Sequence, residues 1–234
     1  MKALQFMAEN NMAVNEIEKP GIGPDEVLLA ARSVGICHSD IELLEGRYII
    51  PFSYPIIPGH EWSAEVIEVG SKVSTLSPGD RVVGECVIGM EHFGFSISGA
   101  MAEYFIAKET WLHKIPAEVS WTAGALVEPF SCGYYAAQKA DNLDASDTVI
   151  VFCAGPIGLG VVAAANAKGA RVIIAEPSQA RIEVAKKLGA ESSFDPSASD
   201  AVQQAMKLTD GKGATVVFEA SGKPQAMAMT FQVE

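Results

Sequence analysis

Thr148-Val149-Ile150-Val151-Phe152-Cys153-Ala154-Gly155-Pro156-Ile157-Gly158-Leu159-Gly160 is the stretch on which the fold turns. Its first five residues are apolar or β-branched and read as a buried strand. A glycine-rich turn follows at once, and an apolar helix begins near Ile157. Strand, turn and helix in this order form the dinucleotide-binding fingerprint, which asks for glycine at its first, third and sixth positions. Gly155 and Gly158 fill the third and sixth, and Cys153 stands at the first. Gly155 lets the backbone approach a pyrophosphate, and the helix start presents free N–H groups to it. Cys153 strains the turn, since only glycine takes positive φ freely. Glu176 ends the second strand 23 residues beyond Cys153, where an acid meets the adenosine ribose hydroxyls. A carboxylate there repels a 2′-phosphate, and Pro177 and Ser178 supply no cation, so NAD is favoured over NADP. The cofactor-binding set is Gly155, Pro156, Ile157, Gly158, Glu176 and Arg181. The bland alternative is a tight βα turn in a flavodoxin-like sheet.

Downstream the alternation continues: a helix over 157–168, strand over 171–175, helix over 179–188, strand over 192–194, helix over 200–208, strand over 215–219. Gly169 and Gly189 sit just past two of the helices, where glycine commonly ends them. Upstream, Glu128-Pro129 opens an apolar helix running to about Ala140. Strands alternating with such helices imply βαβ units and a parallel sheet. A doubly wound sheet of this type has six strands in two halves. Four are legible here, so the natural chain is expected to continue past Glu234. Before Trp121 the pattern changes to short strands separated by Pro20-Gly21, Pro58-Gly59 and Pro78-Gly79. The expected class is α/β with two domains, a β-rich one over residues 1–121 and an incomplete dinucleotide-binding one over 122–234.

Two blocks in the β-rich part carry metal-ligand chemistry. Gly35-Ile36-Cys37-His38-Ser39-Asp40 and Gly59-His60-Glu61 offer a thiolate, an imidazole and a carboxylate. These are zinc ligand types, and three of them leave a fourth position open for water or substrate. Ala64, Gly70 and Val73 follow at the spacings of a buried strand and its turn. Taken singly, a core cysteine, a satisfied histidine and a surface glutamate are the plainer reading. Asp40 is suited to orient His60, because a ligating histidine usually donates its other ring N–H to a carboxylate or carbonyl.

Together these residues resemble the zinc-dependent medium-chain dehydrogenase/reductase family, in particular its alcohol and sorbitol dehydrogenases. The family's Gly-Ala-Gly-Pro-Ile-Gly is matched in five of six places. The resemblance implies a GroES-like domain carrying one catalytic zinc, followed by a Rossmann domain holding NAD. It implies Cys37 and His60 as ligands, with the remaining position open between Glu61 and Glu128, the latter from the branch's Glu-Pro motif. The plainer role for Glu128 is a charge at a helix N-terminus. Ser39, with Cys37 and His60, makes up the catalytic set, and Ser39 takes the alcohol proton. Relatives often place a histidine five residues after the cysteine, at the outer end of the proton relay; this chain has Glu42. Relatives also carry four cysteines between Gly79-Asp80-Arg81-Val82 and Ala102-Glu103-Tyr104, where this chain has Cys86 alone. One zinc per chain is expected. The implied activity is hydride transfer between a small secondary alcohol, polyol or sugar-like, and NAD. Full-length relatives are homo-oligomers. Two alternatives stay open: a catalytically silent zinc- or nucleotide-binding module, and a zinc-independent quinone reductase, which would not need Cys37 and His60.

Bulk properties narrow the partners. The 234 residues are 49% hydrophobic, enough for a sizeable core, and the formal charge of −12 argues against nucleic acid and anionic membranes. Four cysteines without disulfide-like spacing and an N-terminus lacking an apolar signal region lead to the expectation of a cytoplasmic protein.

Overall fold

In the computed structural model, which describes all 234 residues, the chain divides into two compact units, Met1–Glu128 and Pro129–Glu234. The first opens with a hairpin of β1 (Lys2–Ala8) and β2 (Asn11–Glu16), turned at Asn10 with φ of 53°. The pattern reading missed β2. Its apolar side chains face water, Met12 at 58% exposure and Val14 at 66%, so no buried stripe marks it.

β3 (Glu26–Val34) leads into α1 (His38–Leu44), a short helix also absent from the sequence expectation. Then come β4 (Trp62–Val69), β5 (Arg81–Gly84), β6 (Val87–Ile88), β7 (Glu91–His92), β8 (Tyr104–Lys108), β9 (Leu112–Lys114) and α2 (Trp121–Ala125). Five of the strands form an antiparallel sheet ordered β8-β3-β4-β5-β9. Val27, Leu29, Trp62, Val66, Val82, Phe93 and Phe105 pack as one buried cluster beneath it. Fully burying a side chain of this size contributes about 1.5–3 kcal/mol. The interval expected to lack a cysteine cluster is occupied by the β6–β7 hairpin, with Cys86 at its start.

The second unit is built on β10 (Thr148–Phe152), whose Val149, Ile150 and Val151 are completely buried. Such an unbroken apolar run belongs to a central parallel strand covered on both faces. α3 (Val127–Lys139) precedes it. α4 (Pro156–Ala167), β11 (Arg171–Ala175), α5 (Gln179–Lys187), β12 (Ala190–Phe194), α6 (Ala201–Leu208), β13 (Val216–Glu219) and α7 (Pro224–Val233) follow. The all-parallel sheet runs β12-β11-β10-β13. One face packs against Val161, Val162 and Ala165 of α4, the other against Ala201 and Ala205 of α6 and Val233 of α7. Counted from β10 as the first strand the order is 3-2-1-4, which reverses direction beside β10. No helix is long and apolar enough to cross a membrane.

Candidate functional site

The two ligand-bearing blocks are joined by the backbone. The Gly35 N–H donates to the Glu61 carbonyl at 2.7 Å, holding the loop after β3 against the start of β4. Cys37 then caps α1, and its backbone N–H donates to Oδ2 of Asp40 at 2.9 Å. On the other block, Gly59 takes φ of 98°, and its carbonyl accepts from Ala100 N–H at 2.9 Å. His60 follows directly, buried at 4% exposure.

Ligand atoms of Cys37, His60 and Glu61 come to lie within 4.8 Å of one another. Zinc bonds of about 2.0–2.3 Å draw such a set together with little movement. Gly35 makes room for the carboxylate, because a Cβ at that position would overlap Oε2 of Glu61. Asp40 spans both blocks. While Oδ2 holds Cys37, Oδ1 faces Nδ1 of His60 at 3.6 Å, an ion-pair distance too long for a hydrogen bond. Both of these buried atoms lack a hydrogen-bond partner, so Asp40 faces His60 without making the N–H donation that usually backs a metal-bound histidine. The donor set fits zinc.

Electrostatics couple the same residues. Burial alone would lower the His60 pKa, but Asp40, Cys37 and the charge on Glu128 outweigh it and hold the value at about 10. The Cys37 thiol is lowered, chiefly by its hydrogen bond with His60, against the cost of burial and with help from Ser39. Burial raises Glu61 and Glu128, and the His60 charge opposes both shifts. Glu128 lies outside the three-residue group yet close enough for its charge to reach His60 and Glu61. Ser39 sits in the first turn of α1, half-buried beside the Cys37 sulfur, whereas His38 is exposed. Phe95 was not foreseen: its ring lies 4.6 Å from the His60 ring, 35 residues downstream. No local pattern announces a contact made by a distant loop.

In the second unit, a cavity of about 540 Å³ is lined by Cys153, Glu176, Arg181, Ser197, Ser221 and Lys223, among others. Cys153 takes φ of 81°, so the thiol-bearing residue does occupy the left-handed region. Gly158 is required by space, since a Cβ there would overlap the Cys153 carbonyl. Gly155 caps α4 and Pro156 and Ile157 open it, with Pro156 and Ile157 exposed. Glu176 is buried at 3% exposure and accepts from Ala154 N–H at 2.8 Å and Ser178 N–H at 3.0 Å. Nη1 of Arg181 lies 4.0 Å from its Oε2.

Comparison with known proteins accounts for both units. Residues 23–117 match the alcohol dehydrogenase GroES-like domain, and residues 156–233 match the zinc-binding dehydrogenase model. The chain is 36% identical to (R,R)-butanediol dehydrogenase of Bacillus subtilis, over 99% of this chain and 74% of that one. It is 34% identical to D-arabitol-phosphate dehydrogenase of Enterococcus avium, over 93% of this chain and 67% of that one. The crystal structure of 2R,3R-butanediol dehydrogenase from Bacillus subtilis superposes with a TM-score of 0.87 at 33% identity, covering 99% of this chain and 74% of that one. A Sinorhizobium meliloti 1021 structure bound to NADP superposes with a TM-score of 0.91 at 28% identity, covering 99% and 73%. With two family models covering most of its length and relatives above 30% identity matching nearly all of it, the chain belongs to the zinc-dependent medium-chain dehydrogenase/reductase family of oxidoreductases.

Proposed function

We propose that the protein oxidises a secondary alcohol of the polyol or sugar-like class with NAD, using one zinc held by Cys37, His60 and Glu61 in a domain corresponding to residues 1–121. The observation that carries this reading is the convergence of those three ligand atoms within 4.8 Å, with Gly35 leaving space for the carboxylate. Zinc bound there supplies Lewis acidity toward an alcohol oxygen. NAD supplies the hydride acceptor. The chain's own residues do the rest. Asp40 fixes the Cys37 backbone and faces His60, so both ligands are held before substrate arrives. Ser39, in contact with the Cys37 sulfur, accepts the alcohol proton and passes it outward. Glu128 stands by as the alternative carboxylate.

The cofactor lies along a domain corresponding to residues 122–234, with Gly155, Pro156, Ile157 and Gly158 at the pyrophosphate and Glu176 at the ribose. Support for NAD over NADP is the buried Glu176 carboxylate, tied by two backbone N–H groups. A 2′-phosphate would have to approach that charge. Substrates of this kind, with no disulfide among the four cysteines, fit a cytoplasmic enzyme. The test is NADH formation against a panel of secondary alcohols and polyols, with and without zinc. Oxidation that proceeds equally well after zinc removal refutes the reading.

A further inference from the structure

Tyr48 lies 11 residues beyond Cys37, after α1. Its ring stacks on Phe95 with centroids 4.1 Å apart and planes 12° from parallel. Phe95 in turn lies 4.6 Å from the His60 ring, so two ring contacts connect Tyr48 to a metal-ligand imidazole. Phe95 and Leu43 are fully buried, and Tyr48 packs on the cluster they form with Phe6 and Ile56. The ring is therefore held in place while one side of the residue stays open to solvent.

The hydroxyls of neighbouring tyrosines differ. That of Tyr54 donates to the Leu43 carbonyl at 2.6 Å. The Tyr48 hydroxyl has no hydrogen-bond partner in the chain. A phenol with an apolar body packed and its polar end unpaired usually meets a partner from outside. Burial, then the charges of Cys86, Cys37, Glu42 and Asp40, raise its pKa, so the group stays a donor.

We infer that Tyr48 selects substrates carrying a second hydroxyl beside the reacting carbinol, its phenol hydrogen-bonding that hydroxyl. This rests on the Cys37–His60–Glu61 cluster being the alcohol site. One added hydrogen bond corresponds to a preference of about tenfold. Tyr48→Phe keeps the stack on Phe95 and breaks no internal bond, so the variant folds and retains zinc.

The experiment compares zinc-loaded wild type and Tyr48→Phe on 2,3-butanediol and 2-butanol. The readouts are the ratio of the two kcat/KM values and, without NAD, the relative binding of the two alcohols by ligand-observed NMR. The expected result is a fall of about tenfold in the diol-to-alcohol ratio, with a matching loss of preference in the NMR measurement. An unchanged ratio overturns the inference. If the wild type oxidises neither alcohol, the proposed activity fails. The NMR arm then decides Tyr48 by itself, and equal diol preference in the two proteins rejects it.

Discussion

For single residues, the proposed metal centre depends on one missing side chain as much as on three present ones. A Cβ at Gly35 would occupy the place of the Glu61 carboxylate. Gly35→Ala should therefore weaken zinc binding by about 10–100-fold, the range seen when a supporting position around a metal is disturbed. Competition with a fluorescent zinc chelator measures this, and undiminished affinity would show that Glu61 is not a ligand. His60 makes a second prediction. Without metal it holds its proton up to about pH 10, and zinc must displace that proton to bind. Zinc affinity should then rise with pH, about tenfold per unit for each proton released, and level off above the His60 pKa. Titration in buffers of different ionisation enthalpy counts the protons. A pH-independent affinity would remove His60 from the ligand set. Cys37, His60 and Glu61 were legible because thiolate, imidazole and carboxylate in two short blocks are chemically unusual. Phe95 and Tyr48 were not, because their contact with the site is made through folding alone.

Among the elements, the parallel sheet was the most legible part of the fold. β10 and β11 are unbroken apolar runs after their first residues, Thr148 and Arg171, and their bounds match the sequence expectation residue for residue. β2 and the β6–β7 hairpin escaped because two-residue strands and a solvent-facing hairpin leave no periodic stripe. α1 escaped for a related reason: at seven residues it is held by the Cys37 cap and Asp40 more than by an apolar face. The turn between β10 and α4 stores strain at Cys153, held at φ of 81°. An L-residue in that region costs about 1–2 kcal/mol. Cys153→Gly should thus raise stability by about 1 kcal/mol in urea denaturation, with NAD affinity unchanged or improved. A clear loss of NAD affinity would assign the thiol a role of its own.

Across the molecule, metal and cofactor are assigned to different units. Zinc should slow hydrogen exchange within residues 1–128, concentrated around 35–61, whereas NAD should protect residues around 152–181 in the second unit. Exchange mass spectrometry with each ligand separately maps the two footprints, and a zinc footprint centred in the second unit would overturn the division of labour. The curated relatives quoted above extend further, this chain spanning 67% and 74% of their lengths. Zinc-edge X-ray absorption spectroscopy with elemental analysis probes whether one zinc is held by Cys37, His60 and a glutamate. The expected result is one zinc per chain with a single sulfur at about 2.3 Å and nitrogen or oxygen at about 2.0–2.2 Å, and loss of the sulfur in Cys37→Ser. Two zinc ions per chain, several sulfurs around the metal, or a spectrum unchanged by Cys37→Ser would contradict it.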